Sequence, residues 1–369
     1  MNEPHCKKEW SPRIWEGSDY FPFLRLLVKN RVAVSPPHWY IAAIASGVTV
    51  GNMVLKWFQN GLHGDRVRDT KLHEDPIFVV GHWRTGTTLL HELLVLNPRH
   101  TFATTLQCLS PCHHLISENF LKRYAGFLVP SHRPMDNMAT GWDRPQEDEF
   151  ALCLLGLPSP YADVAFPNRP PMFPGSLDLS GLSKSQLASW KHRFRRFLQE
   201  LTYRDPRRLV LKSPPHTARI PVLLEMFPKA KFVHIVRDPR VVIPSTVNLW
   251  KSMAKKHGLQ TLRDEGTIRE KVWREFRTVY DRLEEAKPRI PAGQFHELRY
   301  EELVKDPLGE VRKVYDAVGL DGYADARPLV EKYLRDTAGY ETNRYQLGDA
   351  ERAAIEERCG DVIARYGYS

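Results

Sequence analysis

One segment near residue 80 joins a buried strand, a glycine-bracketed turn and an amphipathic helix without interruption: PIFVVGHWRTGTTLLHELLVLN, at Pro76–Asn97. Its apolar start, Ile77–Val80, suits a fully buried parallel strand. Gly81 and Gly86 bracket the turn, and the leucines that follow recur at helical spacing. A helix that begins directly after such a turn presents unpaired N–H groups and the positive end of its dipole. The segment therefore predicts an anion site for phosphate or sulfate.

The turn lacks the lysine of the nucleotide triphosphatase pattern GxxxxGK[ST]. Thr87 stands where that lysine would be, and Arg84 inside the turn supplies a cation from a different position. This departure disfavours Mg²⁺-dependent transfer of a γ-phosphoryl group. A turn that serves packing alone is the structural alternative.

A second motif, at Arg208–Trp250, contains two predicted strands that are each followed by a basic residue. Two β-rich runs, Leu209–Leu211 and Phe232–Val236, are separated by a segment that can form a helix. Lys212 follows the first run and Arg237 follows the second. Since ligands of open α/β sheets bind at the carboxyl ends of the strands, we expect both cations near the anion site.

Together these motifs resemble those of sulfotransferases that use 3′-phosphoadenosine-5′-phosphosulfate (PAPS). GHWRTGTT is similar to the 5′-phosphosulfate loop, IVRDPRVVIPS to the 3′-phosphate motif, and RYEELVKDP to a strand end near the adenine. The resemblance implies a P-loop-like α/β fold, a parallel sheet flanked by helices on both faces, with PAPS as co-substrate and no metal. The nucleotide contacts that it implies are Arg84, Thr85, Gly86, Thr87 and Thr88 for the 5′-phosphosulfate, Arg237 and Ser245 for the 3′-phosphate, Tyr300 for the adenine, and Arg344 in a late loop.

By the same resemblance, Lys212 stabilises charge on the sulfuryl group in flight, together with Arg84 and the loop amides. The acceptor hydroxyl must also lose its proton as the bond to sulfur forms, so a carboxylate or histidine is needed within hydrogen-bond reach. Glu147 opens a predicted helix beside the basic cleft and is our first choice, with His216 as the alternative. In a competing interpretation, Glu147 and the two acids after it only complement the helix dipole from solvent.

Residues 1–75 lie outside these motifs and are predicted to be helical. Within them, Trp39–Phe58 is the most apolar segment of the chain and has about the length of a bilayer span. Four polar residues interrupt it, namely Ser46, Thr49, Asn52 and Lys56. Three interpretations stay open: a helix buried against the catalytic domain or in a homodimer contact, a helix in a membrane interface, and a membrane span.

Composition is consistent with one large α/β domain, because 42% of the 369 residues are hydrophobic. We expect this domain at residues 76–369, with 100–203 as a mostly helical insertion on the substrate side. The net charge of +9 suits an anionic co-substrate, although nucleic acid or an anionic membrane would attract the same charge. No nucleic-acid-binding motif is present, so we expect no such partner. Five unevenly spaced cysteines favour a reducing compartment, the cytoplasm, with peripheral membrane contact left open.

The sequence thus predicts an enzyme that transfers a sulfuryl group from PAPS to a hydroxyl of a carbohydrate, a lipid-linked molecule or a small alcohol. The products are a sulfate ester and adenosine 3′,5′-bisphosphate (PAP). Two alternatives stay open. One is a P-loop phosphotransferase using ATP or GTP, which would require Mg²⁺, and the other is a non-catalytic nucleotide-binding protein.

Overall fold

The computed structural model describes residues 13–125, 141–337 and 348–368. The strands in these residues are Ile77–Val80 (β1), His100–Thr101 (β2), Arg208–Lys212 (β3), Lys231–Val236 (β4) and Phe295–Arg299 (β5). They form one parallel sheet in the order β2–β3–β1–β4–β5. The predicted strand before the glycine-bracketed turn is therefore central, with both predicted strands of the second motif beside it.

The α-helices of the described residues surround this sheet. In chain order they are Tyr20–Lys29 (α1), Trp39–Asp69 (α2), Thr87–Val95 (α3), Thr105–Leu109 (α4), His114–Tyr124 (α5), Asp148–Leu154 (α6), Lys184–Arg204 (α7), Ile220–Met226 (α8), Pro239–His257 (α9), Glu265–Ala286 (α10), Tyr300–Lys305 (α11), Pro307–Val318 (α12), Tyr323–Asp336 (α13) and Asp349–Arg365 (α14).

Residues of the central strand alternate between two apolar cores, one on each face of the sheet. Ile77 and Val79 pack with α3, α12 and α13, whereas Phe78 and Val80 pack with α7, α9 and α10. This is the burial expected of a parallel strand that is covered on both faces. The predicted α/β architecture with helices on both faces is confirmed.

The segment 100–203 is mostly helical in its described residues, with one difference from the expectation. Its first two residues form β2, which pairs with β3 in the register His100↔Arg208. A strand of two residues is too short to show an alternating apolar pattern, so local sequence could not reveal it.

The N-terminal helices share the larger core with the part of the chain that follows residue 75. Phe23 and Leu26 of α1 and Ile41 and Ala45 of α2 are buried in the cluster that also holds α7 and α9. The stretch 36–69, which contains α2, is long and apolar enough to cross a membrane by length and composition. The boundary at residue 75 does not divide two cores, and its functional meaning stays a prediction.

Candidate active site

The turn after β1 forms a tight loop that depends on two glycines. Gly81 has φ +153° and Gly86 has φ +100°, conformations that favour glycine. A Cβ on Gly86 would lie 2.3 Å from Cδ2 of Tyr300, and one on Gly81 would lie 2.6 Å from the Ile235 carbonyl oxygen. The loop can therefore lie against the ends of β4 and β5 only because both positions lack a side chain.

Thr85 closes the loop from within. Its hydroxyl and its N–H group both donate to the His82 carbonyl, at 2.7 and 3.3 Å. The first N–H group of α3 with an intrahelical acceptor is that of Leu90, which donates to Gly86 at 3.2 Å. The earlier N–H groups, those of Thr87, Thr88 and Leu89, form the anion-attracting end of the helix.

Arg84 joins the two predicted nucleotide motifs. Its Nε donates to Oγ of Ser245 on α9 at 2.9 Å, and its carbonyl accepts from Nη1 of Arg237 at 3.4 Å. Its φ of +69° is uncommon for a residue other than glycine, and such strained backbone is typical of functional sites. The structure thus brings the predicted 5′-phosphosulfate and 3′-phosphate contacts together.

Arg237 and Tyr300 lie at the carboxyl ends of β4 and β5. The Arg237 guanidinium carbon is 4.1 Å from the centroid of the Tyr300 ring, a cation–π contact. Burial raises the pKa of Tyr300, although the nearby Arg237 charge opposes the shift. The neighbouring acid, Asp238, pairs with Arg240, whose Nε lies 3.0 Å from each of its oxygens.

Three consecutive acids at the start of α6 each face a basic side chain, which comes either from the last residue of β3 or from the 3₁₀ helix at Pro214–Arg219 that follows it. The pairs, with their shortest N···O distances, are Glu147–Lys212 (2.8 Å), Asp148–His216 (2.7 Å) and Glu149–Arg219 (2.6 Å). Glu147 is the N-cap residue of α6, as its predicted position at a helix start requires. Asp148 and Glu149 are fully buried. The interpretation in which all three acids face solvent is therefore wrong.

Lys212 links the outermost acid to the anion loop. Its Nζ lies 2.8 Å from Oε1 of Glu147 and 3.4 Å from Oγ1 of Thr88, and its side chain is 1% exposed. The second oxygen of Glu147 accepts a hydrogen bond from the hydroxyl of Tyr161, which in turn accepts from Nε1 of Trp83 at 2.9 Å. Burial and the Glu147 charge raise the pKa of Tyr161, so its hydroxyl remains a donor.

Comparison with known proteins agrees with this geometry. Residues 76–325 match the family model described as "Sulfotransferase family". The chain is also 45% identical over 361 residues to omega-hydroxy-beta-dihydromenaquinone-9 sulfotransferase Stf3 of Mycobacterium bovis, a match that covers 98% of this chain and 92% of the relative. The chain belongs to the sulfotransferase family. The predicted family and enzyme class are confirmed.

Solved structures show the same fold. This sulfotransferase resembles STF9 from Mycobacterium avium with a TM-score of 0.66 and 21% identity, covering 95% of this chain and 96% of that one. It resembles STF1 from Mycobacterium tuberculosis H37Rv with a TM-score of 0.63 and 19% identity, covering 92% and 91%.

His216 lies in the core of the sulfotransferase rather than at the opening. Its Nε2 contacts Asp148, and its ring packs against Phe78 and Phe194, with centroids 5.5 Å apart in both contacts. Burial acts to raise the pKa of Asp148, but the His216 charge and hydrogen bonds from His216 and Ser213 hold it below its usual value. Glu147, with 15% of its side chain exposed, is the better placed of the two candidate bases.

Sequence reasoning missed Tyr161, which lies on a 3₁₀ helix at Pro160–Val164 in the insertion. Its ring contacts three other aromatic rings beside Glu147, those of Trp83, Phe150 and Trp250. No local signal separates this tyrosine from a structural one, because the fold alone brings it to Glu147. Arg344 lies outside the described residues.

Within residues 13–125, 141–337 and 348–368, no group of three or more His, Cys, Asp or Glu side chains could hold a metal ion. Cys108, Cys112, Cys153 and Cys359 are buried and unpaired.

Proposed function

We propose that this sulfotransferase moves a sulfuryl group from PAPS to the hydroxyl of a hydroxylated isoprenoid quinone or a similar apolar alcohol. The supporting observation is the position of Lys212, whose Nζ contacts both the anion loop at Thr88 and the accessible carboxylate of Glu147. The acceptor class is supported by the 45% identity to a relative that is named for an omega-hydroxylated dihydromenaquinone. We expect the reaction in the cytoplasm, where unpaired cysteines are usual.

The nucleotide would lie across the carboxyl ends of β1, β4 and β5. The N–H groups at the start of α3 and the Arg84 side chain would hold the 5′-phosphosulfate, with Thr87 and Thr88 nearby. Arg237 and Ser245 would hold the 3′-phosphate, and Tyr300 would contact the adenine. Because Gly86 has no side chain, the Tyr300 ring can lie against the loop at this edge. Thr85 supports the loop by its hydrogen bonds to the His82 carbonyl. Arg344 stays a predicted contact.

Glu147 would accept the proton of the acceptor hydroxyl as the oxygen bonds to sulfur and the bond between sulfur and the 5′-phosphate oxygen breaks. Each carboxylate oxygen has two lone pairs, so Glu147 retains acceptor capacity beside its contacts to Lys212 and Tyr161. Lys212 and the helix N–H groups would stabilise the charge that develops on the sulfuryl oxygens and the departing phosphate. The products are the sulfate ester and PAP.

In this proposal His216 positions the site and does not act as its base. To accept a substrate proton at Nε2, His216 would have to leave Asp148 and a core in which it is fully buried. Loss of such a buried pair is costly, since it leaves a carboxylate without a counter-charge.

The insertion at 100–203 would form the substrate side, since it contributes both Glu147 and Tyr161. The rings beside the carboxylate are buried, except for that of Phe150, which is partly buried, so the surroundings of Glu147 are apolar. Such surroundings favour an apolar acceptor over a carbohydrate rich in hydroxyl groups. The ring centroids of Trp83 and Trp250 lie 5.5 Å apart, and those of Phe150 and Tyr161 lie 4.9 Å apart.

The nucleotide part of the proposal is tested by calorimetric titration with PAP, adenosine 5′-monophosphate and Mg-ATP. We expect PAP to bind at least about tenfold more tightly than the monophosphate, because a charge-assisted contact to the 3′-phosphate contributes more than 1.4 kcal/mol. Equal affinities would contradict the assignment of Arg237 and Ser245, and a preference for Mg-ATP would contradict the use of PAPS.

The catalytic part is tested with radiolabelled PAPS and an omega-hydroxylated menaquinone as acceptor. Glu147→Gln should lower kcat by about 10²- to 10⁴-fold, the usual contribution of a general base, with PAP affinity unchanged. The control is Glu225→Gln, which removes a 63% exposed carboxylate that pairs with Lys191 at the surface. Near-normal kcat in Glu147→Gln would refute the assignment of Glu147 as the base. If PAP still binds normally to that variant, the assignment of the nucleotide site is unaffected by this result.

A further inference from the structure

Helix α2 buries polar side chains and exposes apolar ones, which is the reverse of an ordinary surface helix. Its polar residues Thr49, Asn52 and Gln59 face the protein and are 0%, 6% and 2% exposed. Most of its large apolar residues face outward, with 71% exposure at Trp57 and 59% at Leu62, although Ile41 and Val67 are buried. A helix that packs on a soluble core does the opposite. The exposed apolar residues of α2 are Trp39, Tyr40, Ile44, Val48, Val50, Val54, Leu55, Trp57, Phe58 and Leu62.

The buried polar residues fix the rotation of α2. Asn52 Nδ2 donates to the carbonyls of Glu16 and Ser18 at 2.8 and 2.9 Å. Gln59 Oε1 accepts from the N–H of Leu115 at 2.9 Å. If the helix rotated to bury its apolar side, these groups would lose their partners, at a cost for each buried group. The apolar side is therefore held outward by the fold itself.

Helix α1, which packs against α2, also leaves apolar side chains exposed. Phe21 and Val28 are 65% and 63% exposed, Leu24 is 42% exposed, and Val32 just beyond the helix is 50% exposed. We call these four residues and the ten of α2 the α1–α2 apolar face. Contiguous exposed apolar surface of this kind marks a site of interaction with a membrane or another protein.

The charge around the face points to an anionic partner. Between Asp19 and Asp65 the sequence has no Asp or Glu, whereas it has four basic residues: Arg25, Lys29, Arg31 and Lys56, of which Lys56 pairs with Asp19. Anionic lipid head groups attract such cations, by about 1 kcal/mol for each residue near the surface. A second copy of the chain would bring the same cations towards one another, which disfavours self-association through this face.

Aromatic residues lie towards both ends of the apolar part of α2, with Trp39 and Tyr40 at its start and Trp57 and Phe58 further on. Trp and Tyr prefer the level of the lipid head groups, where an apolar ring and a polar group are both accommodated. Two such pairs along one exposed side fit a helix that lies in the plane of the interface.

The contacts of α2 with the rest of the protein disfavour a membrane-spanning arrangement. Lys56, within the apolar segment, pairs with Asp19, and Arg196 on α7 donates to the Gly64 carbonyl near the end of the helix at 3.0 Å. A span would carry these groups and the neighbouring charges of α7 into hydrocarbon, where each is expensive.

We propose that the α1–α2 apolar face docks on an anionic phospholipid bilayer, with α2 lying along its surface and the sheet outside it. This docking does not depend on the reaction that the site performs. If the acceptor is a lipid, docking also places the enzyme on the surface in which its substrate is dissolved.

The test is flotation of the whole protein with vesicles of phosphatidylcholine, with and without phosphatidylglycerol. We expect wild type to float with the anionic vesicles, and less so at high salt because salt screens the cations. Val54→Glu and Trp57→Glu, each placing a charge in the face, should lower partitioning at least about tenfold. The matched control is Leu329→Glu on α13, since Leu329 is 41% exposed and Val54 46%, and it should float like wild type.

Thermal unfolding and PAP titration of each variant check that it is folded. Either of two results would overturn the proposal. The first is unchanged flotation of folded Val54→Glu and Trp57→Glu. The second is a wild-type protein that floats with neither kind of vesicle; if it is then a dimer by light scattering and Val54→Glu is a monomer, the face is a dimer interface.

Discussion

The innermost acid–cation pair, Glu149 with Arg219, should dominate the stability of the site. Both side chains are fully buried, and Arg219 contacts the two carboxylate oxygens at 2.6 and 3.0 Å. The same guanidinium donates to the carbonyls of Leu177 and Ser176 at 3.0 and 2.7 Å. Every bond to this buried cation is lost in Arg219→Met.

The expected magnitudes follow from these contacts. Removing one partner of a buried pair costs about 3 to 5 kcal/mol, because the other charge is left uncompensated. Arg219→Met also leaves two buried carbonyls without a donor, which adds about 1 kcal/mol or more for each. We therefore expect a loss of about 5 to 7 kcal/mol in Arg219→Met, close to the whole free energy of unfolding of a small protein. Glu149→Gln keeps both carbonyl bonds and should lose about 3 kcal/mol.

Urea unfolding of wild type, the two single variants and the double variant measures the coupling. The double variant leaves no buried charge unpaired, so its loss should be smaller than the sum of the single losses by at least about 2 kcal/mol. Unfolding midpoints should shift without a change in m, which shows that stability rather than compactness has changed. Arg219→Lys should restore only part of the loss, since lysine lacks the planar fork that serves the carboxylate and both carbonyls. Additive losses, or a loss below about 1 kcal/mol in Arg219→Met, would refute the reasoning.

Three further predictions concern the loop, the nucleotide and pH. Gly86→Ala should raise the Kd for PAP at least about tenfold in calorimetry, because the added Cβ would collide with Tyr300. The control is Gly360→Ala, which should bind PAP normally because nothing lies within 4 Å of its added carbon. Arg237→Lys should weaken PAP about tenfold and adenosine 5′-monophosphate little, because the guanidinium fork is lost; equal weakening of both would contradict its assignment. Burial raises the pKa of Glu275 from 4.5 to about 7. Folded Glu275 thus keeps a proton that the unfolded chain releases, so the free energy of unfolding should fall as pH rises from about 4.5 to about 7, and Glu275→Gln should flatten that slope in thermal unfolding.

The parts of the fold that could be predicted are those specified by residues close together in the sequence. The strand at Ile77–Val80, the turn between Gly81 and Gly86 and the helix after it are each specified by neighbouring residues, and all three were predicted. The cations after two strands could also be placed at one sheet edge, because parallel strands end on the same side. Glu147 was correctly placed at a helix start, since acids are favoured there.

Contacts between distant residues could not be read in this way. Nothing in the sequence pairs Asp148 with His216 or Glu149 with Arg219, and Tyr161 reaches Glu147 only through the fold of the insertion. The apolar stretch of α2 posed the same difficulty, because hydropathy measures how apolar a helix is and not which side meets the protein. The three-dimensional structure is needed to show that Asn52 and Gln59 are buried while Trp57 and Leu62 face outward.

The three acids of α6 show how one short segment serves stability and chemistry together. Exposure falls from 15% at Glu147 to none at Asp148 and Glu149, so only the first acid can meet a substrate. The buried pairs fix α6 against the 3₁₀ helix at Pro214–Arg219, and Lys212 ends the strand just before that helix, beside the anion loop. Because a misplaced catalytic group loses much of its effect, the two inner pairs can matter for turnover without touching the acceptor. The site is thus a partly exposed carboxylate and a buried lysine, both positioned by two fully buried pairs next to them.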